Sequence, residues 1–225
     1  MRRFFQKFKH NPYPDFWISY CDLFKKKEKN TFKETRFVAL DTETTGFDFK
    51  EDRILCIGAI GILENKILVK DGLEVYLNQL IFKSETVHIH GLIKNEKVEK
   101  VNEKEALILF LDYIKDSILV AHHASFDIGI INKALKRHQL GKLKNDVLDT
   151  AILFKRSKHI VNIIDPTKVY SLDEVARELK ITAKDRHTAA GDAYITALAF
   201  LKILPKLNKE GKMRYKDLFI NPMNY

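Results

Sequence analysis

Cysteine is scarce in this chain of 225 residues: there are two, Cys21 and Cys56. No CxxC pair and no His/Cys ligand spacing accompanies them. A disulfide framework and a zinc ribbon are therefore excluded, and two buried, reduced thiols are expected. Long apolar runs are also lacking. No stretch approaches the roughly 18 apolar residues of a membrane-spanning helix. The basic N-terminus has no continuous apolar segment of the kind that marks a secretion signal. Repeats and low-complexity stretches are absent as well. The expectation is a soluble, cytoplasmic protein with no membrane partner.

What is present suits one domain with additional material at its ends. Hydrophobic residues make up 45% of the chain and charged ones 31%, the charges scattered among apolar runs as in a globular protein. The formal net charge is +9, which favours a polyanionic partner such as nucleic acid. Charge alone does not separate that reading from a merely basic soluble protein.

Three segments differ in character. Residues 1–33 form a basic, aromatic N-terminal extension. Phe16, Trp17, Ile18, Tyr20, Leu23 and Phe24 fall at roughly helical spacing after the Asn11-Pro12-Tyr13-Pro14 break, before the basic run Lys25-Lys26-Lys27. This extension either packs on the main domain or serves as an arm that touches nucleic acid or a partner. Residues 34–204 read as the main domain and 205–225 as a basic C-terminal tail. In the main domain, strands are expected at 36–41, 54–63 and 67–78, the last two joined by a turn at Glu64-Asn65. Helices over 103–115 and 125–137 bracket a short strand at 118–121. A last short strand at 147–148 precedes a helix over 150–156. Ser171 and Glu174 make a capping box for a helix to Leu179. A final helix runs from Ala189 to Ile203, stopped by Pro205. Strands first, then strands alternating with helices, predict an α/β fold with a mixed sheet and helices on its faces.

The segment Val38-Ala39-Leu40-Asp41-Thr42-Glu43-Thr44-Thr45-Gly46 carries the strongest chemical signal. The strand period of two puts Asp41 and Glu43 on one face. Carboxylates that close raise each other's pKa unless a cation lies between them. Hard oxygen ligands suit Mg²⁺ or Mn²⁺. An acidic pair in water at a strand end is the plainer reading of this motif alone. Further on, Phe126-Asp127 places an acid inside the first turn of a helix that follows a strand. Asp192 lies in an otherwise apolar, alanine-rich helix, five residues after His187. An acid there is costly unless paired or metal-bound.

Together these residues resemble the DEDDh, or DnaQ-like, 3′–5′ exonucleases, the family that includes the epsilon proofreading subunit of bacterial DNA polymerase III. Asp41 to Gly46 match its Asp-x-Glu-Thr-Thr-Gly motif, Phe126-Asp127 its second motif, and His187 to Asp192 its His-x4-Asp motif, within residues 35–204. His88-Ile89-His90-Gly91-Leu92 is similar to a family His-Gly segment near the terminal nucleotide. Asp149-Thr150 is similar to a family Asp-Thr pair, in which Asp149 reads as a helix N-cap or a support for the site. His123 stands where relatives commonly have Asn.

The resemblance implies an RNase H-like mixed five-stranded sheet flanked by helices. It implies two Mg²⁺ or Mn²⁺ ions held by Asp41, Glu43, Asp127 and Asp192, with Asp41 bridging. His187 is implied as the general base that takes a proton from the attacking water, although its residue type and position also fit a surface-loop histidine. Thr44, Thr45, His90 and Phe126 are the implied substrate contacts. The implied activity is release of nucleoside monophosphates from single-stranded DNA ends in proofreading or repair, in which case a DNA polymerase catalytic subunit is a partner. Three alternatives stay open: trimming of RNA 3′ ends, a non-catalytic module that binds nucleic acid or a polymerase, and a single structural metal. His122 and His123 are not expected to act as a metal pair, since neighbours on a strand face opposite ways.

Overall fold

The computed structural model describes residues 12–25, 34–79, 98–158, 167–209, 211 and 215–219. Its sheet has the order β4-β3-β2-β1-β5-β6. The strands are β1 (Phe37–Thr44), β2 (Ile54–Leu63), β3 (Lys66–Leu77), β4 (Lys100–Val101), β5 (Ile118–Ala121) and β6 (Val147–Asp149). β1 pairs antiparallel with β2 and parallel with β5, so the sheet is mixed. Glu64 and Asn65 both adopt positive φ, 50° and 59°, as a two-residue hairpin turn between β2 and β3 demands. Six strands stand where five were expected. The extra one, β4, is a two-residue parallel addition to the β3 edge, too short to leave a periodic signal.

The helices are α1 (Asp15–Leu23), α2 (Glu103–Ile114), α3 (Ser125–Arg137), α4 (Thr150–Lys158), α5 (Leu172–Glu178) and α6 (Ala189–Leu207). The capping box at Ser171 and Glu174 is formed. α6 outruns its expected end at Ile203. Pro205 lacks only one amide hydrogen, and the last turn closes through Asn208 N–H to the Leu204 carbonyl at 3.0 Å.

Alternation along β1 sorts the layers. Val38 and Leu40 face a core shared with α1, α2 and α3. Phe37 and Ala39 face the opposite core, against α4, α5 and α6. Continued one step further, the same alternation turns Asp41 and Glu43 toward α6 and Thr42 toward α3. Among the described residues no helix is long and apolar enough to cross a membrane. Both cysteines are unpaired; Cys56 is buried, but Cys21 is only partly so.

α1 packs into the first core. Trp17 and Tyr20 are each only 3% exposed, which withdraws both rings from any nucleic-acid surface. The Tyr20 hydroxyl donates to Asn145 Oδ1 at 2.5 Å and accepts from Lys144 N–H at 2.8 Å. Asn145 in turn donates to the carbonyls of Lys115 and Ser117. Lys26, Lys27 and Lys29 lie outside the described residues. Tyr20→Phe leaves Asn145 Oδ1 and Lys144 N–H without this partner and is expected to destabilise the fold by about 1–3 kcal/mol. Trp17 is the single tryptophan, so its fluorescence during urea unfolding measures that loss.

Candidate metal centre

Asp41 lies on β1 directly opposite Gly58 of β2, and Glu43 lies opposite Cys56. A Cβ on Gly58 would fall 2.2 Å from the carbonyl carbon of Ala189 and 2.4 Å from the Ala190 nitrogen. Backbone cannot yield at such distances. Only glycine across from Asp41 lets the first turn of α6 settle on the sheet. Thr188 caps that turn, accepting from Gly191 N–H at 3.1 Å and donating to the Asp185 carbonyl at 2.7 Å. Asp192 is thereby carried to the acids of β1. Oxygens of Asp41, Glu43 and Asp192 lie within 4.8 Å of one another.

Asp127 reaches the same region from the other layer. Its Oδ1 accepts from Thr42 N–H at 2.9 Å and from the Thr42 hydroxyl at 2.7 Å. Asp149 fixes the turn that leads into α3. It accepts from the amides of His123 and Ala124 at 3.2 and 3.0 Å, and from Ala151 N–H at 2.8 Å, as an N-cap does.

The electrostatics follow from this crowding. Burial raises the Asp41 carboxyl well above its ordinary range, and the charges of Asp127, Asp192 and Glu43 add to the effect. Burial, then Asp192 and Asp127, push Glu43 up to about 7. Burial likewise raises Asp127 to about 7 against the two hydrogen bonds from Thr42, which favour its charged form. One guanidinium, that of Arg186, faces these acids, and its charge only partly offsets the upward shifts of Asp41 and Glu43. An oxygen-only donor set of this kind fits a hard divalent cation such as Mg²⁺ or Mn²⁺.

The other expected site residues divide. His187 is exposed, with φ +62°, in the loop immediately before α6. The Thr44 and Thr45 hydroxyls donate inward, to the Gly46 carbonyl at 2.7 Å and to Asp52 Oδ1 at 2.8 Å. Thr45 N–H is engaged as well, by the Arg53 carbonyl at 2.9 Å. His88 and His90 lie outside the described residues. His122 and His123 sit in the turn after β5, not on a strand, and their rings lie 4.3 Å apart. Strand alternation therefore does not separate them. His122 is engaged instead by Thr150 Oγ1 at 3.0 Å and the Tyr170 carbonyl at 2.9 Å, and burial lowers its pKa to about 4.

Two features escaped the sequence. Phe47, 84% exposed, and Phe49 each place a ring 5.6 Å from that of Phe126. With Asp48, Lys50 and Lys133 they line an open groove of about 500 Å³. Buried Asp52 holds this loop, accepting from the Thr45 hydroxyl and from Asp48 N–H at 2.8 Å. Aromatics placed just after Gly46 were the available signal. The second feature is Arg186, which forms ion pairs with Asp173 and Asp192. A lone arginine in a loop carries no pattern.

Residues 38–200 match the model of a family described as Exonuclease, RNase_T. The chain belongs to this exonuclease family. It is 34% identical over 185 residues to the PolC-type DNA polymerase III of Caldanaerobacter subterraneus subsp. tengcongensis, a match covering 82% of this chain but 13% of that protein. It is 29% identical over 181 residues to the DNA polymerase III subunit epsilon of Aquifex aeolicus, covering 80% of this chain and 86% of the relative. Among solved structures, E. coli Exonuclease I in complex with a dT13 oligonucleotide superposes with a TM-score of 0.65 at 16% identity, over 79% of this chain and 42% of that one. Exonuclease X in complex with 5′ overhanging duplex DNA gives 0.58 at 20% identity, over 82% and 98%. The fold is RNase H-like, as the exonuclease motifs implied.

Gly58→Ala is expected to lift α6 from the sheet, destabilise the protein by at least about 2 kcal/mol and weaken Mn²⁺ binding. Urea unfolding and metal titration check the two effects. The raised acids also set a pH dependence. Folded Glu43 and Asp127 hold protons up to about pH 7 that ordinary carboxylates release nearer 4, so their contribution to stability falls as pH rises from about 4 to about 7 and is flat above that. His122 opposes this only below its ordinary value of 6.5. With chelator present, the melting temperature is therefore expected to drop between about pH 5 and 7 and to level off above that, and excess Mn²⁺ should reduce the drop. Scanning calorimetry across that interval is the check.

Proposed function

We propose that the protein is a two-metal 3′–5′ exonuclease that releases nucleoside monophosphates, acting on single-stranded DNA ends in proofreading or repair. The observation that carries this reading is the meeting of Asp41, Glu43 and Asp192, with oxygens within 4.8 Å, in an exonuclease-family fold. Asp41, Glu43 and Asp192 would hold one ion, and Asp41 with Asp127 the other. Bound there, divalent ions supply the positive charge that activates water and neutralises the leaving 3′ oxygen.

The remaining roles fall to the protein's own groups. His187, exposed beside the acids' helix, takes the proton of the attacking water at a ring nitrogen. The backbone at Thr44 and Thr45 borders the terminal nucleotide. Phe126 anchors the ring cluster of Phe47 and Phe49, whose exposed faces suit the stacking of unpaired bases, while Lys50 and Lys133 suit phosphates. His90 is assigned to the terminal nucleotide by motif alone. Exonuclease I was solved with an oligonucleotide of thymidine, which favours DNA as the substrate. Similarity to an epsilon subunit and to PolC-type polymerases favours a DNA polymerase as partner and the cytoplasm as location.

The test incubates 5′-labelled single-stranded DNA and matched RNA with the protein and Mg²⁺, Mn²⁺ or EDTA. A metal-dependent ladder shortening from the 3′ end, faster on DNA, is expected. Asp41→Asn and Asp192→Asn should reduce cleavage to background. Retained binding with no degradation under any metal would overturn the proposal. Glu43→Gln is expected to lose cleavage while gaining on the order of 1 kcal/mol of stability at pH 8 in chelator, because it removes one of the crowded charges. Calorimetry alongside the assay reads both.

A further inference from the structure

Arg186 is placed between two carboxylates of different kinds. Its Nε donates to Asp173 Oδ1 at 2.7 Å and its Nη2 to Asp173 Oδ2 at 3.2 Å. That bidentate clasp, from the first turn of α5, lies outside the acidic cluster and would satisfy an ordinary surface arginine. The third nitrogen is turned inward. Nη1 is buried and ion-paired with Oδ1 of Asp192. The guanidinium field extends further, opposing the upward pKa shifts of both Glu43 and Asp41. One fixed cation thus serves the whole cluster from its rim.

We propose that Arg186 is a built-in competitor for divalent metal: it occupies an oxygen of Asp192 and sets how tightly the cluster binds an ion. This rests on reading Asp41, Glu43 and Asp192 as metal ligands. A cation entering the cluster must share Asp192 with the guanidinium and is repelled by it. Asp173 keeps the displaced guanidinium at the rim, so the competition is reversible. The arginine acts through Asp192 and is a positioning residue.

The test is Mn²⁺ binding to the full chain without nucleic acid, by isothermal titration or by the Mn²⁺ paramagnetic resonance signal. R186Q is expected to tighten Mn²⁺ by at least about tenfold, the scale of one unit charge about 4 Å away when screening is close to that of water. R186K, which keeps the charge without the planar fork, should fall between R186Q and the parent. D173N should weaken Mn²⁺ binding by freeing the guanidinium for Asp192. In a D173N/R186Q protein that weakening should shrink, which separates it from the mere loss of the Asp173 charge. R186Q binding no more tightly than the parent would overturn the proposal and leave Arg186 a structural strut. Should R186Q fail to fold, R186K and D173N carry the same test. A parent protein that binds no Mn²⁺ would overturn the metal reading and this inference with it, whereas Mn²⁺ binding unaffected by Arg186 would overturn this inference alone.

Discussion

Mutual repulsion among crowded carboxylates is the constraint around which this structure is arranged. Asp41, Glu43 and Asp192 are gathered within 4.8 Å, with Asp127 close enough to raise Asp41 further. In an unfolded chain these groups would be apart and hydrated. Folding therefore works against their charge, and the framework must hold them together. Two buried clusters, one on each face of the sheet, supply that rigidity.

The means of holding each acid differ with the layer from which it comes. Asp41 and Glu43 are fixed by the register of β1 with β2. Asp192 depends on a gap in the sheet at Gly58, where α6 rests on backbone. Asp127 is held by two hydrogen bonds from Thr42, the residue between the two strand acids that faces the other way. The strand thus presents its acids to one layer and a clamp for a further acid to the other. Asp149 and Asp52, neither of them in the cluster, perform the supporting work. One braces the turn before α3, and the other the loop that carries Phe47 and Phe49.

Such a site is poised. Asp41, Glu43 and Asp127 have pKa values displaced upward by burial and by neighbouring charges, so a positive charge placed among them gains more than it would in water. Arg186 supplies part of that charge from the rim. An exonuclease-family fold built this way couples its own stability to whatever cation it holds, and the coupling is strongest where Glu43 and Asp127 change protonation, near pH 7.

The sequence by itself determined the parts of this protein that depend on local order. The alternation of β1 put Asp41 and Glu43 on one face. The spacing of apolar residues drew α3 from Ser125 to Arg137, and Ser171 with Glu174 started α5. Those signals are local because strand and helix periods and caps are set by a few neighbouring residues. The tertiary structure decided the rest. That Gly58 admits α6, that Asp52 clasps the loop after Gly46, and that Arg186 leans on Asp192 are contacts between segments far apart or patternless in the chain. α1 shows the same division: its aromatic spacing was plain, but its burial depended on residues more than a hundred positions away, on Gly141, where an added Cβ would lie 3.0 Å from the Trp17 ring, and on Asn145, which accepts from Tyr20. Distance in sequence carries no record of proximity in space, and only packing made these residues neighbours.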